Sequence, residues 1–281
     1  MSSSGTAAGF GLLSAATWGG ADFAGGVGAR RSSSLLVTTS GQIVSLLILL
    51  GICLAFRLAV PGWNYLLYAA IGGFEGALAL AAFYRALAMG AMGLTAALTG
   101  LLTAIVPVIY EVLKTGLPAP VTALGLTAGC AAIWLITHSP ATGKSSVPTR
   151  ALMLGAVSGM GFGVQLILFK MAGAGGVIWA LTSARIAGVA ALVLVLGVAR
   201  PARPWRGFWV IGTLSGVLDT LGNLFYILTA GYGRLDVAAV ICSLYPAGTI
   251  LLAAVVLHEH PSRRQIAGMG LALVAVGLLS R

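Results

Sequence analysis

The sequence predicts an all-α integral membrane protein whose ten transmembrane helices form two inverted five-helix repeats. Three observations predict it. The 281 residues are 59% apolar and 8% charged, with mean hydropathy +1.02, against about 25% charged residues in a soluble domain. The apolar residues fall into ten runs, each near the ~20 residues that a helix needs to cross a bilayer. Residues of the first half also return in the second at a nearly constant offset. The 40 glycines fit this class, because small residues let helix backbones approach closely in lipid.

The runs are bounded by charge, proline or polar clusters. Run one, 7–28, stops before Arg30-Arg31, and it lacks the basic leader of a secretory signal, so it reads as a retained span. Run two, 33–57, ends at Arg57. Run three, 64–88, follows Pro61-Gly62 and carries Arg85 in its last turn, where a cation suits the helix C-terminus. Run four, 92–114, ends at Lys114, and run five, 119–138, follows Pro118. The longest polar connection, HSPATGKSSVPTR at 138–150, comes next, in the middle of the chain. Run six, 150–172, closes on Lys170, and run seven, 176–199, stops before Arg200. Runs eight, nine and ten occupy 206–230, 235–257 and 263–280, set apart by Arg234 and Arg263-Arg264.

The central connection divides the chain into repeats 1–140 and 141–281. Phe83-Tyr84 returns as Phe225-Tyr226 at an offset of 142. Pro107 matches Pro246 at 139, Pro118 and Gly125 match Pro261 and Gly268 at 143, and Arg30 matches Lys170 at 140. An odd number of spans per repeat turns the second copy over, and inverted repeats enclose a site near the bilayer midplane. Pro107 and Pro246 each remove a helix hydrogen bond, which predicts two bends at symmetric positions.

Several functions find no support. The net charge of +10 is spread over helix ends, where it sets topology and meets headgroups, so no nucleic-acid partner is expected. Cys53, Cys130 and Cys242 are far apart, and no metal-binding spacing occurs. The adjacent His258, Glu259 and His260 would point apart on a helix. HExxH, GxSxG and Walker A motifs are absent. No enzyme, cofactor or metal is expected.

Ionisable groups within a bilayer are costly and face the protein interior or water. Asp22, Glu75, Arg185 and Asp219 are therefore candidates for charge pairing or coupling, and mid-span Arg185 needs Glu75 or Asp219 as its partner. Asp219, Asn223 and Tyr226 share one face of the eighth run by their spacing. Trp18 and Asp22 do so on the first run, and Ser158, Phe162, Gln165 and Phe169 on the sixth. Each face reads either as cavity wall or as interhelical packing. Tyr84 is the repeat mate of Tyr226, and Tyr245 stands beside the helix-bending Pro246, whose freed carbonyls would accept from an ammonium group. The predicted binding set is Trp18, Tyr84, Phe162, Gln165, Asn223, Tyr226 and Tyr245.

TWGGADF at 17–23, SAR at 183–185 and GYGRLDVAAVICSLYPAGTILLAAVVLHEHPSRRQIAGMGLALVAVGLL at 231–279 resemble the ten-helix EamA branch of the drug/metabolite transporter superfamily. The likeness spans the chain and is stronger in the second half. Gln42 lies where the second-helix Arg is expected in the first half, and GLPAP at 116–120 has no counterpart of Glu259. The resemblance implies a multi-pass protein of a bacterial inner membrane that exports small metabolites. Within the branch it is nearest to YddG-type amino acid exporters. The expected function is secondary transport of small amphipathic solutes, amino acids first, by alternating access in a monomer, and by facilitated diffusion, since acids are few. The alternatives are a multidrug or other metabolite exporter, a channel, and a non-transporting membrane scaffold.

Overall fold

The computed structural model describes residues 3–89, 92–137, 148–199, 207–256 and 262–279. Among them the chain forms eleven helices and no strand. They are α1 (Ser3–Arg31), α2 (Ser34–Ala55), α3 (Trp63–Ala88), α4 (Met92–Thr115), α5 (Pro120–Thr137), α6 (Thr149–Gly173), α7 (Val177–Ala199), α8 (Phe208–Gly231), α9 (Leu235–Cys242), α10 (Tyr245–Val256) and α11 (Arg263–Leu279). Seven segments are long and apolar enough to cross a membrane, α9 and α10 counting as one. His138, most of the central connection, His258, Glu259, His260 and Pro261 lie outside the described residues.

The ninth run is not one helix. It breaks at Ser243-Leu244, one turn before Pro246, where the ladder tightens and Leu244 donates to Ile241 O at 3.3 Å. Pro246 has no N–H for the Cys242 carbonyl. Two glycines from other helices fit the loosened backbone. A Cβ on Gly100 of α4 would sit 2.9 Å from Pro246 Cγ, and one on Gly19 of α1 would sit 2.8 Å from Tyr245 O. Pro107, by contrast, stands inside unbroken α4, so the two prolines do not produce matching breaks. Arg85 is exposed in the last turn of α3.

Helix packing follows an exchange rule. The pairs α1–α8 and α3–α6 pack extensively, as do α3–α7 and α2–α8. Each pair becomes its mate when the helices of one half are swapped for those of the other. The α2–α7 and α5–α11 contacts map onto themselves. The two closest crossings obey the same rule. Gly73 of α3 lies on the Ala184 backbone of α7, and Gly216 of α8 lies on the Gly41 backbone of α2. A side chain at either glycine would run into main chain, which has no rotamer to move.

Polar stitching reinforces these crossings. Ser45 Oγ donates to Gly216 O at 2.9 Å and to Gly41 O at 2.7 Å. Thr99 Oγ1 donates to Gly155 O at 3.0 Å, and Ser14 Oγ to Gly222 O at 2.9 Å. A hydroxyl that gives its hydrogen to a carbonyl is tolerated in apolar surroundings, since that hydrogen is paired. Where α6 and α8 end, Lys170 Nζ donates to Gly233 O at 2.9 Å, and Arg234 forks onto Asp236 and reaches Gly116 O.

Gly216→Ala should lower the thermal midpoint of the purified protein by about 2–10 °C, from an overpacking cost of about 1–3 kcal/mol. Gly270→Ala, which meets nothing within 4 Å, should leave it unchanged. A scanning fluorimetry trace in which both variants match the parent would show that the crossing is loose.

Candidate functional site

A mid-span position is where an arginine side chain has no water to reach. Arg185 lies in the middle of α7, between the Gly73 crossing at Ala184 and Gly188, and is 5% exposed. Its Nη2 donates to Asp219 Oδ2 of α8 at 2.7 Å and to Thr220 Oγ1 at 3.1 Å. Its Nη1 donates to Gln42 Oε1 of α2 at 2.9 Å. Of the two expected acids the structure thus selects Asp219. Gln42 and Arg185 occupy corresponding positions in α2 and α7, the second helices of the two halves of the chain.

Asp219 is held on both oxygens. Asn223, one turn later, donates through Nδ2 to Asp219 Oδ1 at 3.2 Å and to the Asp219 carbonyl at 2.7 Å. Those acceptors fix which way the amide faces. Asn223 Oδ1 is left without a hydrogen-bond partner, as is Arg185 Nε, and both residues border one central cavity.

The cavity is lined by Trp18, Asp22, Gln42, Gly76, Leu80, Thr103, Phe162, Gln165, Leu166, Arg185, Asp219, Asn223 and Tyr245. Both halves contribute to it. The space open to water centres is about 40 Å³. One wall is aromatic. The Trp18 ring meets Tyr245 edge-on at 6.2 Å, and Phe162 and Tyr245 both meet Phe83 edge-on, at 5.9 and 6.5 Å. Asp22, Asp219, Arg185 and Asn223 line it as well. Gln165 donates to Gly72 O at 3.1 Å and lies across Gly76, whose missing Cβ leaves room for the amide.

The predicted residues separate into two groups. Trp18, Phe162, Gln165, Asn223 and Tyr245 come together on the cavity, with Asp22, Arg185 and Asp219. Tyr84 and Tyr226 do not reach it. Both are fully buried, and both hydroxyls are committed to neighbouring helices. Tyr84 shares a 2.6 Å hydrogen bond with Ser215 and donates to Ala21 O of α1 at 3.3 Å. Tyr226 donates to Leu166 O of α6 at 2.6 Å and stacks behind Trp18 at 6.0 Å. Each ties the third helix of one repeat to the first helix of the same repeat. Glu75 is half-buried on α3 and faces Gly161 of α6, away from the cavity.

Sequence reasoning missed Gln42 and Thr103 as lining residues. Gln42 stood out only as a departure from a pattern. Thr103 ends a Thr95–Thr99–Thr103 stripe at four-residue spacing on α4, a signal available in the sequence. No group of three or more His, Cys, Asp and Glu side chains gathers among the described residues.

Arg185→Met should destabilise the protein by about 3–5 kcal/mol, because it strands a buried carboxylate. Arg185→Met combined with Asp219→Leu should recover most of that loss. Thermal midpoints of the two singles and the double measure this as a cycle, and strictly additive losses would show that the pair is not coupled.

Residues 149–281 match the model of the EamA-like transporter family. A solved crystal structure of a second protein superposes with a TM-score of 0.75, covering 97% of this chain and 95% of its own, at 18% identity. At that identity the likeness concerns the fold. No curated protein matches the chain.

Proposed function

We propose that this multi-pass membrane protein is a secondary carrier of small amphipathic metabolites, amino acids with apolar or aromatic side chains first. The observation that carries the reading is the central cavity, lined both by aromatic rings and by residues with unpaired polar atoms. A donor (Arg185 Nε) and an acceptor (Asn223 Oδ1) with no protein partner are what a small polar head group needs. The rings of Trp18, Phe162 and Tyr245 suit an apolar side chain. The exchange rule of helix packing supports two halves, 1–140 and 141–281, working as inverted repeats around this midplane site. We place the protein as a monomer in a bacterial inner membrane, exporting its solute.

A channel is the weaker reading, because among the described residues no ring of charge surrounds the cavity. The carrier reading expects saturable counterflow of phenylalanine in proteoliposomes. Unsaturable flux would make it a channel, and absence of flux for every amino acid tested would set the carrier reading aside.

Phe162→Ala should reduce phenylalanine counterflow about two- to tenfold, from a lost ring contact of about 0.5–1.5 kcal/mol, while alanine counterflow changes less than about twofold on the same scale. Tyr226→Phe keeps the ring and loses the tether, so both solutes should fall together. Size-selective loss at Tyr226 would return that residue to the binding wall.

A further inference from the structure

We infer that Asp22 is the group on which an organic cation and a proton replace one another, so that the cavity takes monocations: primary ammonium ions on an apolar or aromatic frame. This rests on the carrier reading and adds the charge state of the cargo to it.

The argument starts from a charge count. Three charged residues line the cavity, Asp22, Asp219 and Arg185. Arg185 is already answered by Asp219 at 2.7 Å. Asp22 is 6% exposed, and among the described residues no hydrogen bond or ion pair reaches its carboxyl. A lone carboxylate in a membrane interior is costly. The site has one acid too many, and a single positive charge removes the excess.

No neighbouring helix supplies that charge. Facing Asp22 are Asp219 on α8, Tyr84 on α3 and Tyr245 on α10, with Arg185 of α7 on the same cavity. Helix α2 offers the Gln42 amide, which already accepts from Arg185. Helix α9 presents Cys242 farther along α1, beside Ser14. Helix α11 has its charged residues, Arg263 and Arg264, in its first turn. The positive charge must therefore come from solution, as a proton or as an organic cation.

The surroundings select its chemistry. Asn223 Oδ1 is a second free acceptor on the same cavity, and an ammonium has three donors to place. The rings of Trp18 and Tyr245 meet edge to face at 6.2 Å and offer faces to a cation. A carboxylate on the solute would find Arg185 Nε, but it would restore the excess negative charge. A zwitterion therefore binds with the proton still on Asp22, whereas a monocation displaces it. The exchange balances: the ammonium enters, the Asp22 proton leaves to water, and the reverse occurs on release.

The full chain in detergent micelles, in weak buffer with a pH indicator, tests this with phenethylammonium and phenylalanine as probes. Bound phenethylammonium should release about one proton per protein and phenylalanine none. Apparent affinity for phenethylammonium should rise about tenfold per pH unit while the acid holds its proton. Asp22→Asn should abolish the release, and Asp22→Glu should restore it. Where Asp22→Asn does not fold, the pH dependence of the parent and of Asp22→Glu decides alone. Binding without release, release that survives in Asp22→Asn, a flat pH dependence, or no binding of phenethylammonium would each overturn the inference. Proton release in micelles without flux in liposomes refutes the carrier reading and leaves this one standing. Flux without proton release does the reverse.

Discussion

The Arg185–Asp219 ion pair is the constraint around which the rest is arranged. Burying two charges costs several kcal/mol each, and their attraction offsets this only when the remaining donors and acceptors are satisfied. Here Gln42 and Thr220 take further guanidinium hydrogens, and Asn223 takes the second carboxylate oxygen. Three helices, α2, α7 and α8, are thereby fixed to one point. The network is complete except at two atoms, Arg185 Nε and Asn223 Oδ1, and both belong to residues that border the cavity. A network built only for stability would gain from closing them. Left open, they give the cavity its polar wall.

Such a short ion pair requires backbones close enough to bring it together. Gly73 against Ala184 and Gly216 against Gly41 provide that approach. Arg185 and Gln42 are the very next residues after Ala184 and Gly41. The glycine contacts and the polar contacts are therefore one device. Close crossing positions the second helix of each half, and the residues that follow meet between them. In lipid, where apolar side chains gain little from leaving their surroundings, packing and hydrogen bonding of this kind supply the association energy.

The ten spans were legible because a bilayer imposes length and apolarity on each run, and the helices of the structure fall on those runs within a few residues. Arg185 and its need for an acid were legible for the same reason. The break in the ninth run was not, because Pro107 and Pro246 carry the same local signal. What differs is the neighbour: Gly19 and Gly100 give room to a displaced backbone at Pro246. Tyr84 and Tyr226 were misplaced by a sound premise. Their return at a fixed offset does mark a shared geometric role, but that role is to tie helices within each repeat. Recurrence shows that a position matters to the repeat and is silent on whether it faces a cavity. Thr103 was overlooked because a threonine stripe reads as helix stitching, which Thr99 performs.

The two tyrosines also bear on how the cavity is shaped. Gly25 leaves space for the Tyr84 ring against α1, and Tyr226 lies directly behind Trp18. Trp18 in turn rests on Gly222 of α8. The aromatic wall is thus two layers deep, the outer ring in contact with the cavity and the inner one hydrogen-bonded to a helix backbone. Trp18 has no room to retreat, because the ring behind it is anchored through Leu166 O of α6. Any change in the volume beside Trp18 must then come from moving α1 or α6 as a whole. Through Tyr245 the same wall meets the α9–α10 break, where proline has already removed a backbone bond. A doubled wall that ends at an interrupted helix allows the site to change shape along that edge while the Arg185–Asp219 ion pair stays intact.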